Sequence, residues 1–207
     1  MPTFVMTMQI GFDANQIHFI TKKALKGDMK AAEIVIEFLS GLEIKEATAI
    51  AYLIVYQIAM NVLLDLGEEC RKCGGMCCKM GSAIELMDFD ISELIESGVD
   101  ISKLVKSNNK HYIPRPCPFQ NGWKCTIHRS KPYSCLSYPF AVEDIQKDII
   151  ASWSPPNPPK PFIPDFCLAG KRAWQHIESA IQDFKNEYGR EPTPQELLQY
   201  LRNRGQV

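Results

Sequence analysis

The sequence has almost no net charge. Its 23 basic and 24 acidic residues leave −1 over 207 positions, which removes the simplest case for a dedicated nucleic-acid binder, whose footprint is a basic surplus. Nor is it poor in apolar residues: 45% are hydrophobic, so a disordered chain is ruled out and the length supports a real core. The opening MPTFVMTMQIGFDANQ shows no basic n-region, no long apolar h-region and no small-residue cleavage site. A signal peptide is therefore not expected, and a cytosolic address is. Paired carboxylates, a nucleophile triad and a phosphate-binding loop are also missing, which leaves an enzyme without a recognisable active site. Cysteine is absent before position 70 and then appears eight times, as Cys70, Cys73, Cys77, Cys78, Cys117, Cys125, Cys135 and Cys167. In a reducing compartment such a cluster points to metal binding or catalysis rather than to disulfides.

The chain divides by charge. Residues 1–69 carry five basic and nine acidic side chains, 70–140 ten and six, and 141–207 eight and nine. The basic surplus coincides with seven of the cysteines. Arg71, Lys72, Lys79, Arg115, Lys124, Arg129 and Lys131 either balance thiolate charge or form an ordinary basic face. Three parts are expected: an N-terminal helical segment (1–66), a cysteine-cluster domain (67–170) and a C-terminal helical pair (171–207).

The first part reads as a short strand-like start at Thr3–Ile10, a helix capped by Asp28, and a long helix from about Glu43 to Leu66. Ala47 to Leu64 is apolar enough to be weighed as a membrane span. Gln57, Asn61 and Asp65 draw one polar stripe along it, however, so a buried helix is expected and no membrane partner. Six prolines among the eleven residues Ser154–Pro164 read as an extended strap that returns Cys167 to the cluster. Helices follow at Lys171–Tyr188 and Thr193–Asn203, the second opened by the capping box Thr193-Pro194-Gln195-Glu196.

The cysteine spacing carries the chemistry. Cys70-Arg-Lys-Cys73-Gly74 is the pattern of a metal knuckle: two thiolates on a tight turn, with a glycine that accepts positive φ so that backbone N–H groups can point at sulfur. Cys77 adds a third sulfur, and C-x2-C-x3-C can wrap three corners of a cubane iron–sulfur cluster. Cys77 and Cys78 are neighbours and diverge in any regular backbone, so they serve two centres or one of them is packed as a small apolar residue. In Cys117-Pro-Phe-Gln-Asn-Gly-Trp-Lys-Cys125, a three-residue loop would pair Phe119 with Trp123 and set Cys117 opposite Cys125, and this register is predicted. His128 stands at knuckle spacing from Cys125, either as a ligand or as a hydrogen-bonding neighbour. Met76, Met80 and Met87 read as gap-filling core.

At CRKCGGMCC (70–78), CPFQNGWKCTIH (117–128), KPYSCLSYPF (131–140) and Cys167, the sequence resembles the CxxCxxCC, or YkgJ-like, cysteine-cluster family of zinc- or iron-chelating proteins. The family is known for eight cysteines; here three residues rather than two separate Cys73 from Cys77. A flagellin lysine methylase associated with the same pattern looks to hold an iron–sulfur cluster.

The expectation is a mainly helical α+β protein. An irregular cysteine-rich core with a small hairpin would bind metal through Cys70, Cys73, Cys77, Cys78, Cys117, Cys125, Cys135 and Cys167. Two four-thiolate zinc sites or one four-iron cluster would use these sulfurs, and the spacing inclines toward iron–sulfur over zinc or iron ions. A redox or electron-transfer protein and an iron–sulfur-dependent methylase-like enzyme are the alternatives. The partner is the metal ion or cluster, with room for a protein partner and none expected for nucleic acid.

Overall fold

The computed structural model describes residues 13–204; the strand expected at Thr3–Ile10 lies outside them. Helix α1 (Ala14–Leu25) begins on a reciprocal cap, with the Gln16 N–H donating to the Asp13 carboxylate (2.8 Å) and the Asp13 N–H to the Gln16 side chain (3.0 Å). Helix α2 (Met29–Gly41) starts as predicted at Asp28, whose carboxylate accepts the Ala31 N–H at 3.1 Å. Helix α3 (Lys45–Ile58) runs on through a π turn, Ala59–Leu63.

The two form a 19-residue helical stretch whose most apolar 18 residues have a mean hydropathy of 1.4 and are 61% buried inside the protein. Its polar stripe ties the fold together. Gln57, fully buried, accepts the Phe140 N–H (2.9 Å) and donates to Asn61 (2.9 Å). Asn61, on the π turn, donates to the carbonyls of Leu25 (3.2 Å) and Leu136 (2.9 Å). Buried amides satisfied in this way specify one arrangement of the elements they join. Here they fix the end of α1 and the segment around Cys135 against the core helix.

The cysteine-rich middle contributes short helices and two small sheets: α4 (Gly67–Cys73), β1 (Ile84–Leu86), α5 (Asp88–Glu96), β2 (Val105–Ser107), β3 (Lys110–Ile113), β4 (Gln120–Asn121), β5 (Lys124–Cys125), α6 (Tyr133–Leu136) and α7 (Glu143–Ser152). Strand order is β1-β3-β2, antiparallel, with Ile84 opposite Ile113 and Ser107 opposite Lys110. Asn108 and Asn109 both take positive φ in the two-residue loop, the backbone of a type I′ hairpin. This hairpin is not among the sequence expectations, although Asn-Asn between two β-prone runs signals it.

Two apolar cores result. The larger is built on α3 with α1, α2, α8 (Leu168–Tyr188) and α9 (Pro194–Arg204), and it also takes in Leu136, Phe140 and Trp153. The smaller consists of Leu86, Leu94, Ile113, Phe119 and Ile127. The fold is thus mainly helical α+β, as expected. The proline strap is tied internally: Tyr56 donates to the Pro159 carbonyl (3.1 Å), and Gln146 bonds both backbone groups of Phe162 (2.7 and 2.9 Å).

Helix α9 opens on the predicted box, the Glu196 N–H donating to Thr193 Oγ1 (3.3 Å) and the Thr193 N–H to Glu196 Oε2 (2.9 Å). The hydrogen-bonded Arg190 guanidinium, ahead of Thr193, pulls the Glu196 carboxyl down to about 2. A carboxylate depressed in the folded state stabilises fully above its ordinary value of about 4.5 and loses that contribution as pH falls toward 2. The melting-temperature gap between the wild type and Glu196→Gln is therefore expected to close between pH 4.5 and 2. A gap that stays constant would contradict this role.

Candidate metal centre

All eight cysteines are free thiols. Helix α4 delivers Cys70 and Cys73 in its last turn, with Cys73 Sγ 3.4 Å from the Cys70 carbonyl. Gly74 (φ 66°) ends the helix in the left-handed conformation expected of a knuckle, and Gly75 (φ 68°) repeats it. The chain then enters a 3-10 turn, Met76–Cys78. Successive side chains on such a turn leave the backbone about 120° apart, yet the Cys77 and Cys78 thiols still interact directly.

The second cysteine segment is clamped to this turn. The Cys117 N–H donates to the Cys78 carbonyl at 2.8 Å, and Gln120 Nε2 donates to the carbonyls of Gly74 (3.2 Å) and Gly75 (3.1 Å). An alanine Cβ at Gly75 would lie 2.5 Å from Gln120 Nε2 and 3.1 Å from the Trp123 carbonyl. Gly75→Ala is expected to cost about 2–4 kcal/mol in urea denaturation, from the left-handed backbone and the broken clamp together. Gly81→Ala, also at positive φ but facing open space, supplies the backbone cost alone. Equal losses in the two variants would show that the clamp contributes nothing.

The hairpin register differs from the expectation. Gln120 pairs with Cys125 and Asn121 with Lys124, so the loop is Gly122-Trp123 and Cys117 does not face Cys125 across the strands. Gly122 (φ 61°) fills the first loop position while Trp123 keeps negative φ, as in a type II′ turn, where glycine is wanted first. Cys117 and Cys125 nonetheless both pack on the smaller core.

Interactions among the thiols fall mostly into two groups. Cys70 interacts with Cys73, and across the groups with Cys78; Cys77 interacts with Cys167 and Cys73; Cys167 interacts with Cys70 and Cys73. Cys78 is coupled to Cys117 and Cys125, and Cys135 to Cys78, Cys117 and Cys125. The groups touch at the Cys77–Cys78 step, where thiol hydrogen bonds run from Cys117 to Cys78 and on to Cys77.

Donating to Cys78, and then burial, holds the Cys117 thiol well above its ordinary value. Burial raises Cys70 and Cys125, and pushes Cys135 up to about 12 and Cys167 up to about 11. Cys78 ends raised: the bond from Cys117 lowers it, but its own bond to Cys77 and burial outweigh that. Cys77, exposed, is lowered by accepting from Cys78. Thiols raised in this way hold their protons, so metal binding to them must release protons.

The expected N–H···S contacts occur on other sulfurs than the first knuckle's. They run from Phe119 to Cys117, from Ile127 to Cys125, and from Gly170 to Cys167 at 3.4 Å, where Cys167 caps α8. Among the basic residues, Arg115 acts on Cys117 and Cys135, and Lys131 on Cys70, Cys77 and Cys125. Arg71 and Lys72 are engaged by Glu68 instead, and Lys124 lies over the Trp123 ring. Lys171, beside Cys167, is a further cation that sequence reasoning missed. His128 is exposed on a 3-10 turn beside Lys131. Met80 is 49% exposed rather than core.

As they stand, no three His, Cys, Asp or Glu side chains among the described residues are arranged to hold an ion. A tetrahedral thiolate shell needs sulfurs roughly 3.8 Å apart on every edge, from Zn–S bonds of about 2.3 Å. Protonated thiols joined in a row by S–H···S contacts do not surround one point. The donor chemistry nevertheless fits a thiophilic metal, with eight reduced sulfurs, N–H donors to three of them and cations beside them.

No curated protein and no solved structure matches the chain. Residues 69–155 match the family model CxxCxxCC, described as "Putative zinc- or iron-chelating domain". Seven of the eight thiols lie inside that span, and Cys167 reaches them from beyond it. Over residues 69–155, then, the chain is similar to a family described as zinc- or iron-chelating.

Proposed function

We propose that the chain chelates metal in two four-sulfur centres, one from Cys70, Cys73, Cys77 and Cys167, the other from Cys78, Cys117, Cys125 and Cys135. The observation that carries this reading is that most thiol interactions fall within these two fours, with Cys78 crossing to Cys70 and Cys77. Each set anchors a different part of the fold. Cys70 packs on the helical core, and α4 on α8; Cys117 and Cys125 pack on the smaller core. Closed four-thiolate coordination is the chemistry of structural zinc and mononuclear iron sites, and the reducing cytosol would keep these thiols available.

A second reading is favoured for the first set alone. Its C-x2-C-x3-C run with a remote fourth cysteine can also hold a four-iron, four-sulfur cluster, which would make that centre redox-active and the other structural.

Anaerobic purification followed by metal analysis, sulfide assay and a visible spectrum separates the readings. Two metal ions per chain without acid-labile sulfide is the expected result. Four irons and four sulfides per chain beside one further ion would establish the second reading. A chain that binds no metal, or only one ion, would overturn both.

A further inference from the structure

Two side chains in the cysteine-rich region carry buried donors that lack acceptors. Nε and Nη1 of Arg115, between β3 and Cys117, have no hydrogen-bond partner among the described residues, and neither does the Tyr138 hydroxyl. Leaving a buried donor unpaired costs on the order of 1–3 kcal/mol, and more for a charged one. The other unpaired buried atoms, on His18, Ser40 and Trp174, lie on helices α1, α2 and α8. Arg115 and Tyr138, by contrast, belong to the cysteine segments: Arg115 stands two residues before Cys117, and Tyr138 precedes Pro139, which flanks Gly170 together with Cys167 Sγ. The guanidinium interacts with Cys117 and Cys135, and the tyrosine ring with Cys167, Cys77 and Cys73. One orphan donor therefore serves each proposed centre. Arg115 brings a permanent charge and a planar fork of N–H groups; Tyr138 brings a neutral O–H.

A thiol is a poor acceptor, whereas a thiolate is a strong one. Deprotonating four cysteines around a divalent ion leaves a net −2 at the site, the sum of four negative sulfurs and one doubly positive ion. We infer that Arg115 is the outer-sphere donor to the Cys78–Cys117–Cys125–Cys135 centre, offsetting part of that charge through N–H···S bonds to its sulfurs, with Tyr138 as the neutral counterpart at the other centre. This rests on the two-centre reading. It makes the second centre the one matched to a divalent, thiophilic cation held as a dianionic site, and Arg115 the residue that sets its affinity without ligating.

The test uses the full chain, metal-free and reduced, titrated anaerobically with Co²⁺ against a competing chelator while the thiolate-to-cobalt absorption is followed. The wild type should take two equivalents. Arg115→Gln should weaken one equivalent by about 10–100-fold, as loss of an outer-shell partner does, and leave the other unchanged. Arg115→Lys, which keeps the charge but not the fork, should recover most of that loss. Tyr138→Phe should weaken the other equivalent, and the double variant both.

Arg115→Gln with both affinities intact would overturn the inference, as would equal weakening of both, which marks general loosening. A wild type that takes fewer than two equivalents would instead overturn the two-centre reading. A second measurement needs no variant. In arginine-labelled wild-type protein, the Arg115 Nε–H should become strongly protected from solvent exchange when Zn²⁺ is added, and unchanged exchange would also refute the role.

Discussion

Replacing Asp90 with alanine should lower stability by about 3–5 kcal/mol, the cost of breaking a buried ion pair from one side. Asp90 is fully buried, and its carboxylate accepts from Lys22 Nζ at 2.6 Å, from the Tyr133 N–H at 2.9 Å and from the Met87 N–H at 3.1 Å. One side chain thus joins α1, the start of α5 and the segment leading into Cys135. Lys22 is 3% exposed and also meets Glu93 at 2.6 Å, a carboxylate shared with Lys26. Without Asp90, the lysine keeps one partner and two backbone donors are stranded. The double variant Asp90→Leu, Lys22→Met removes both buried charges and should recover much of the loss, because replacing a whole buried pair by apolar residues is often neutral. Urea denaturation of the two variants checks this, and a loss below about 1 kcal/mol for Asp90→Ala would contradict it.

Stripping the metal should have an effect of similar size. A site held at a thousand times its dissociation constant contributes about 4 kcal/mol, which for a chain of this length corresponds to about 8–16 °C in melting temperature. The loss should be uneven across the molecule. The helical core buries Tyr56, Leu53, Ile36, Ile177 and Leu197 almost completely and stands on its own packing. The smaller core has five buried apolar residues and strands only two to four residues long, too little to hold without a staple. Chelation under reducing conditions should therefore lower the calorimetric transition while far-UV dichroism keeps most of its helical signal. An unchanged melting temperature after verified metal removal would show that the sulfurs bear no structural ion.

The sequence was legible where contacts are local. Asp28 with Ala31, Thr193 with Glu196, and Gly74 after Cys73 are decided within three residues, and the structure places each as expected. The polar stripe on α3 identified a helix with partners to find, but not that Gln57 would bond the Phe140 backbone 83 residues away. The hairpin at 117–125 shows where local reasoning stops. Asn121-Gly122 signals a turn; its register is set in part by Gln120, which reaches across to the Gly74 and Gly75 carbonyls, a contact with no trace in the spacing. The return of Cys167 could be read from the proline strap; the hold of the Asn61 and Asp90 anchors on the segment around Cys135 could not. Arg115 was legible as one of the cations near the thiols, but its unpaired N–H groups and the unpaired Tyr138 hydroxyl were not, as an unpaired buried donor exists only once the fold is made.

The division of the sulfurs is tested most directly by counting metal in two single variants, Cys73→Ser and Cys125→Ser, against the wild type. Two ions per wild-type chain and one in each variant, with both lost only when the substitutions are combined, is the outcome that two independent four-sulfur centres require. If either single substitution empties the protein of metal, or neither changes the count, the eight thiols do not divide as described.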